Sequence, residues 1–246
     1  MEEARDSVVR RGEGALLWRT PLFIAAAHEL KSPLALIRQL ALSLEEEDCS
    51  PQEIERVIRQ IILTSERALR LTTDLTKTAR LEDSLFDLEP FNPISLCEEV
   101  AEELQPLYRA KGRRLRISPR TRPLLGLANR DLLRRILTGF ADNALHYANS
   151  EDDVVVSARS YNGGERIRLG VRDYGPALPT HVWRRLESSL GVSPTPLPAR
   201  PNSSGLGVYI AKQFAEAMNA EIGAIRHQDG ATFYVDIAAS TQTRLL

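Results

Sequence analysis

Cysteine and long uncharged stretches are scarce in this 246-residue chain. Its two cysteines, Cys49 and Cys97, are too few for a disulfide framework or a cysteine-based zinc site. We therefore expect both to be incidental thiols in a reducing compartment. No uncharged stretch approaches the roughly 20 residues of a membrane-spanning helix, and no signal peptide is recognisable. These absences predict a soluble, cytoplasmic chain.

The charge balance lacks an excess of either sign, with 33 acidic residues against 32 basic ones. A net charge of −1 does not provide the clustered basic surplus of a general nucleic-acid binder, so no nucleic-acid partner is expected. A hydrophobic content of 43% is ordinary for a globular protein and excludes wholesale disorder. The length allows one or two domains.

Helical periodicity dominates the first third of the chain. Apolar residues separated alternately by four and three positions fit the seam of a bundle helix; they are Phe23, Ala27, Leu30, Leu34, Ile37, Ala41 and Leu44. Ser50, Pro51 and Glu53 have the order of an N-cap, a first-turn proline and a capping box, which predicts a second helix. The second apolar stripe is Ile54, Val57, Ile58, Ile61, Ala68, Leu71 and Leu75. The pattern predicts an antiparallel hairpin, which a second copy would complete as a dimeric four-helix bundle.

A mixed α and β pattern follows a break at residues 82–93. The predicted helices are 99–108, 131–148 and 205–219. The predicted strands are 115–117, 154–158, 167–171, 222–226 and 232–237, with hairpin turns at 162–164 and 229–230. The stretch 191–203 contains four prolines and predicts a functional or mobile loop. The fold class expected from both parts is α+β.

His28, Glu29 and Ser32 fall outside the seam of the first helix. The helix would therefore present an imidazole, a carboxylate and a hydroxyl to solvent. A neutral imidazole is a competent nucleophile, and an adjacent carboxylate can orient it and take its proton. A surface histidine is more often an idle polar residue, but the helix-disrupting Pro33 just beyond it favours a functional one.

Three short motifs in the mixed part have the chemistry of a nucleotide site. Asn143 near a helix end offers an amide oxygen suited to Mg²⁺. Asp173 and Gly175 end a strand, where a carboxylate can accept from an exocyclic amine and a glycine allows close approach. Gly205 and Gly207 open a helix whose free N–H groups favour phosphates. Each motif alone also fits an ordinary helix end or turn.

In this order, the motifs resemble the catalytic core of a bacterial sensor histidine kinase over residues 20–240. Residues 28–34 match the H box without a mismatch, and 142–147 resemble the N box. Asp173-Tyr174-Gly175 and Gly205-Leu206-Gly207 are similar to the two glycine boxes. The resemblance implies an upstream linker, a dimerisation and histidine-phosphotransfer hairpin, and a two-layer α/β sandwich that binds ATP under a lid at 191–203. The corresponding ranges are 1–19, 20–82 and 91–240.

The resemblance also implies a role for each matching residue. His28 would be phosphorylated from Mg-ATP with Glu29 as base, and Ser32 would position water when the partner is dephosphorylated. Asn143 would hold Mg²⁺, and Asp173 would read the adenine amine. The full implied nucleotide set is Asn143, His146, Tyr147, Asp173, Gly175, Gly205, Leu206 and Gly207. The implied partners are a second copy through the hairpin and an aspartate of a response-regulator receiver domain. A membrane would be met only through a missing upstream segment.

The sequence departs from the family pattern at several positions. Gly139 replaces the first N-box asparagine, His146 replaces a basic residue, and Ala177 replaces the second glycine of the first glycine box. The motif before the lid is poorly matched by Trp183–Leu186. These departures support an alternative, a catalytically weak or inactive dimeric docking module or phosphatase for a response regulator. A gyrase-like ATPase is disfavoured because the histidine hairpin would then have no role.

Overall fold

The structure covers most of the predicted helical hairpin and most of the predicted mixed α and β part. The computed structural model describes residues 22, 24–45, 50–79, 81, 86–118, 125–147, 153–192 and 205–241. The predicted upstream linker at 1–19, Cys49 and the loop 191–203 beyond Val192 lie outside these residues. Within the described part of the chain, no helix is long and apolar enough to cross a membrane.

Two compact units make up the chain. One comprises Met1–Leu71 with Val192–Leu206, and the other comprises Thr72–Gly191 with Gly207–Leu246. The first unit contains helix α1 (24–42) and most of helix α2, which spans Pro51–Ala79. The boundary between the units therefore falls within α2.

Helix α2 begins as the sequence predicts. The Oγ of Ser50 accepts from the Glu53 N–H at 3.3 Å, and the Glu53 carboxylate accepts from the Ser50 N–H at 3.0 Å. This reciprocal pair is a capping box, and it satisfies two backbone donors that have no partner inside the helix. Pro51 occupies the first helical position, where its missing N–H is harmless.

Among the described residues, the apolar stripes of both helices are partly open to solvent. No described residue of α2 is buried, and the stripe residues Ile54 and Ile58 are 37% and 45% exposed. In α1, the seam residue Leu34 is 59% exposed. Apolar surface of this extent on a regular stripe is typical of an interaction face rather than of a finished core.

The second unit is a sheet covered on one face by helices. Its helices after α2 are α3 (Pro93–Ala110), α4 (Arg130–Tyr147), α5 (Thr180–Ser188) and α6 (Leu206–Ala217), the first residue of which is assigned to the other unit. Its strands are β1 (Glu89–Phe91), β2 (Leu115–Ile117), β3 (Gly126–Ala128), β4 (Val154–Tyr161), β5 (Arg166–Asp173), β6 (Glu221–His227) and β7 (Gly230–Ala239). The strand order is β1-β3-β7-β5-β4-β2, with β6 also paired to β7.

Strand β7 pairs with β5 on one edge and with β6 on the other. Strands β5 and β7 are antiparallel, with Arg166 opposite Ala238 and Asp173 opposite Ala231. On its other edge, β7 pairs with β6, and Gly230 lies opposite His227 at the turn. This register brings the β6–β7 turn beside the last residue of β5.

Helices α3 and α4 cover one face of the sheet. Helix α3 packs on α4, β2 and β4, and α4 packs on β5, β4 and β7. The apolar residues predicted for this core are at most 1% exposed: Leu132, Leu133, Ile136, Leu137, Phe140, Val154, Val156, Ala158, Ile167, Leu169 and Val171. Their alternation on the strands and helical spacing on α4 place one apolar side of each element in the same layer.

Of the two cysteines, Cys97 lies in the described part of the chain and is free. Cys97 on α3 is fully buried, and burial, helped by the nearby charge of Glu98, raises its pKa to about 12. A thiol with so high a pKa forms little thiolate near neutral pH and is chemically inert.

The predicted start of α3 is wrong. The sequence pattern gave 99–108, with Pro93 treated as a breaker, but α3 begins at Pro93. The Asn92 side chain accepts from the Ile94 N–H at 2.9 Å and caps the helix, while Pro93 takes its first position.

Two strands and one helix were missed by sequence reasoning. Strands β1 and β3 have three residues each, too few for alternation to be recognised. Helix α5 covers nine residues and begins after Pro179 without a side-chain cap. The other predicted helices and strands are present, with ends shifted by a few residues.

Candidate functional site

The histidine motif lies on α1 and faces solvent as predicted. His28 and Ser32 are exposed, and Glu29 is half-buried. The spacing of four residues between His28 and Ser32 puts them one helical turn apart on the same side. An imidazole in this position can be reached by another domain or protein, which a phosphoacceptor requires.

Asn143 and Gly207 are neighbours in the second unit. A Cβ atom added at Gly207 would lie 3.5 Å from Nδ2 and 3.7 Å from Oδ1 of Asn143. Asn143 is in α4, and Gly207 is in the first turn of α6, where backbone N–H groups have no partner inside the helix. The fold therefore joins the candidate metal ligand to the candidate phosphate-binding turn. A Cβ atom at position 207 would be in ordinary van der Waals contact with the Asn143 amide, so the two residues lie side by side.

Asp173 is a buried carboxylate held by the backbone. It is 3% exposed, and its Oδ1 accepts from the Gly175 N–H at 3.1 Å and from the Ala231 N–H at 3.2 Å. Two donors on one oxygen fix the plane of the carboxylate and offset part of the cost of burying its charge. A carboxylate fixed in this way can recognise an amine by position as well as by charge.

Tyr108 and Arg113 hold the stretch of α4 that carries Asn143. The Tyr108 hydroxyl donates to the Ala141 carbonyl at 2.8 Å, and Arg113 donates to the Leu145 carbonyl at 2.5 Å. Burial raises the pKa of Tyr108, and the charges of Asp142 and Asp173 raise it further. The two hydrogen bonds therefore anchor the part of α4 that carries Asn143.

The other predicted nucleotide residues have varied environments. Gly205 precedes α6 with φ of +71°, Leu206 is 1% exposed, and Gly175 is buried next to Asp173. The side chains of His146 and Tyr147 lie outside the described part of the structure, although the backbone of both is helical. Among the described residues, no group of three or more His, Cys, Asp or Glu side chains could hold a metal ion by itself.

The described neighbours of Gly139 give no steric reason for glycine at this position. None of the described residues lies within 4 Å of a Cβ atom placed at this position of α4. Gly139 is one turn before Asn143, so the helix has an open place where the family has an asparagine. Ala177 is half-buried in the segment between β5 and α5.

Sequence reasoning missed the contribution of the β6–β7 turn. Ala231 donates one of the two hydrogen bonds to Asp173, and Gly230 packs directly against that residue. The only sequence signal was the Asp229-Gly230 pair, which indicates a hairpin turn but says nothing of its partner.

Known proteins match this chain in sequence and in fold. The family described as histidine kinase-, DNA gyrase B-, and HSP90-like ATPase matches residues 128–241. Sensor histidine kinase AruS of Pseudomonas aeruginosa is 28% identical over 248 residues, which cover 96% of this chain and 24% of AruS. The chain thus spans about a quarter of that relative's length.

Two solved structures share the fold. Full-length ShkA in complex with AMPPNP has a TM-score of 0.59 at 22% identity, over 92% of this chain and 48% of that one. Histidine kinase ThkA in complex with response regulator protein TrrA has a TM-score of 0.63 at 16% identity, over 99% of this chain and 69% of that one. These matches confirm the predicted α+β fold class. Residues 128–241 thus match the ATPase family, and over nearly its whole length the chain is similar in sequence to a sensor histidine kinase.

Proposed function

We propose that this chain is an ATP-dependent protein-histidine kinase of a two-component system. The observation that carries the proposal is the pairing of Asn143 with Gly207 in the unit where Asp173 is buried and fixed by two backbone N–H groups. Asn143 and Gly207 together offer a metal ligand and a phosphate-binding helix start, and Asp173 offers an acceptor for an amine. We assign residues 20–82 to the dimerisation and phosphotransfer hairpin and 91–240 to the ATP-binding domain.

ATP would be held at both ends by this unit. The Asp173 carboxylate accepts from the exocyclic amine of adenine, and the first turn of α6 at Gly207 receives the phosphates. The remaining nucleotide residues of the set are His146, Tyr147, Gly175, Gly205 and Leu206. AMPPNP, bound in the ShkA structure, belongs to the same ligand class.

Mg²⁺ fits the residues present at this site. Magnesium prefers oxygen ligands and is usually held by one or two protein groups together with substrate phosphates. Asn143 supplies an amide oxygen beside Gly207, so no larger cluster of protein ligands is needed. The bound cation would neutralise phosphate charge during transfer.

Phosphoryl transfer would proceed from ATP to the exposed His28. A bond forms between an imidazole nitrogen and the γ-phosphorus, while the bond from that phosphorus to the bridging oxygen breaks and ADP leaves with the electron pair. Glu29 orients the ring and takes the imidazole proton. Catalysis consists mainly of in-line positioning and charge neutralisation.

The phosphoryl group would then pass to an aspartate of a response-regulator receiver domain. ThkA was solved in complex with response regulator TrrA, which supports this partner class. Ser32, one turn from His28, would position water when the regulator is dephosphorylated. We propose the cytoplasm as the location of these steps because ATP is the donor. A membrane contact would require a segment upstream of this chain.

Incubation with radiolabelled ATP and Mg²⁺ tests the kinase proposal. We expect an acid-labile, base-stable label on the native chain, because a phosphorus–nitrogen bond has this stability. The label should be lost in His28→Gln and kept in His181→Gln, which changes another exposed histidine, on α5.

Absence of label on a folded native chain would contradict kinase activity. It would favour the docking or phosphatase function that Gly139 and Ala177 suggest. A label that persists in His28→Gln would instead show that another residue is the phosphoacceptor.

A further inference from the structure

The turn between β6 and β7 closes tightly on Asp173. Gly230 has φ of +129°, a backbone conformation that residues with side chains rarely adopt. A Cβ atom there would lie 2.8 Å from the Asp173 Oδ1, and the Asp173 carbonyl oxygen would be closer still. Both the conformation and the space at position 230 therefore require glycine.

This close approach gives Asp173 one of its two hydrogen bonds. Ala231, the residue after Gly230, donates its N–H to the Asp173 Oδ1 at 3.2 Å. A side chain at position 230 would push the turn away and weaken that bond. The carboxylate would then be held only from its own side, by the Gly175 N–H at 3.1 Å.

Arg172 joins the turn to the end of β5. Its guanidinium forms a 2.5 Å ion pair with Asp229 and donates to the Asp173 carbonyl oxygen. The same group lies 4.4 Å from the centre of the Tyr174 ring, and the Arg172 side chain is 15% exposed. Because Asp229 directly precedes Gly230, this ion pair holds the turn where Ala231 can reach Asp173.

We propose that Gly230 is a positioning residue for nucleotide recognition, acting through Asp173, and that the Arg172–Asp229 pair supports it. The missing side chain lets the turn fix the carboxylate, so its direction toward the ligand is set before binding. The inference rests on the proposed role of Asp173 in reading the adenine amine. It adds that β6 and β7 contribute to base selectivity without a side chain touching the base.

Gly230→Ala tests this role through the choice between two nucleotides. Affinity is measured for ATP and for purine riboside triphosphate, which lacks the exocyclic amine. We expect ATP affinity to fall by about fivefold or more, as for one weakened hydrogen bond, while the affinity for the analogue stays nearly constant. Damage to the fold alone would lower both affinities together.

A matched glycine provides the control. Gly163, in the β4–β5 turn, also has a positive φ of +68°, but no described residue lies within 4 Å of a Cβ atom there. Gly163→Ala also places a side chain at a positive φ, with less backbone strain than at position 230, and should leave the preference for ATP unchanged.

A milder variant covers the case in which Gly230→Ala does not fold. Asp229→Asn removes the charge that pairs with Arg172 and leaves the turn backbone intact. It should reduce the preference for ATP to a smaller extent. Asp153→Asn, which weakens the 2.5 Å pair with Arg116 beside β2, should not.

Asp173→Asn separates failure of this inference from failure of the proposed site. If that variant keeps the native preference for ATP, the adenine role of Asp173 is wrong, and this inference falls with it. If Asp173→Asn loses the preference but folded Gly230→Ala and Asp229→Asn keep it, the site stands and the positioning role is overturned.

Discussion

At the scale of single residues, the candidate site depends on the side chains of Asp173 and Asn143, and the neighbours of each side chain limit the contacts that it can make. Asp173 has one oxygen occupied by two backbone donors, and Asn143 has its amide beside a glycine. Asn at position 173 would lose the charge and one acceptor oxygen, and Ala at position 143 would lose the proposed amide ligand.

Asn143→Ala should uncouple nucleotide binding from Mg²⁺. The variant loses the proposed amide ligand, so ATP affinity in the presence of Mg²⁺ should fall by about tenfold or more, the loss of one good metal contact. Removing Mg²⁺ with EDTA should weaken ATP binding to the native chain and have little further effect on the variant. Calorimetric titration measures both.

Arg134→Ala is the control for that experiment. Arg134 is also on α4, but it pairs with Glu103 at 3.2 Å on the surface. Its loss should leave ATP affinity and its Mg²⁺ dependence unchanged. Native affinity in Asn143→Ala would remove Asn143 from the site.

At the scale of elements, α4 carries most of the constraints on the site. Asn129 caps it by accepting from the Leu132 N–H at 3.1 Å, and Tyr108 and Arg113 bind carbonyls near its other end. Position 139 of this helix does not carry the residue that would give the helix its highest stability. Gly139 has no neighbour within 4 Å in the described part of the chain that would require glycine.

Gly139→Ala should therefore stabilise the chain. Replacing a helix-interior glycine by alanine gains about 0.5–1 kcal/mol, because glycine loses more backbone entropy on folding. For a chain of this size, the expected rise in Tm is about 1–4 °C by calorimetry.

Gly126→Ala gives the opposite expectation. A Cβ at Gly126 in β3 would lie 2.7 Å from Cδ1 of Ile237 and 2.8 Å from Cε1 of Phe91. That overpacking should lower the Tm. A fall in Tm for Gly139→Ala would show that the glycine has a structural role after all.

At the scale of the whole molecule, the helical region presents an apolar stripe that the described residues do not cover completely. Leu34 is 59% exposed and Ile58 is 45% exposed, and no described residue of α2 is buried. A second copy is the proposed cover because the heptad-like spacing matches itself.

Sedimentation of the full chain should therefore show a dimer. Leu34→Glu places a charge in the seam and should shift the chain toward the monomer, since an unpaired charge in an apolar interface is unfavourable. Leu36→Glu is the control, because Leu36 is 44% exposed and lies off the seam. A native monomer, or an equal shift in both variants, would contradict a bundle formed through this seam.

Local signals in the sequence predicted much of this architecture. The apolar spacing on α4, the alternation on β4 and β5, and the capping box at Ser50 all depend on residues that are close together in the chain. Strands β1 and β3 could not be predicted, because each has three residues and is stabilised by pairing with distant partners. The start of α3 could have been found from Asn92-Pro93, a recognisable helix start.

The sequence by itself determined the identity of the chemical groups: the solvent-facing His28, the amide of Asn143 and the carboxylate of Asp173. Their types and local spacing are properties of the chain, and a resemblance could be drawn from them. Only the tertiary structure decided which groups meet. Gly207 lies beside Asn143, and Gly230 and Ala231 lie beside Asp173, although the paired residues are up to 64 positions apart in the sequence. The physical reason is that antiparallel pairing of β5 with β7 and packing of α4 on the sheet set these contacts, and no local pattern encodes them.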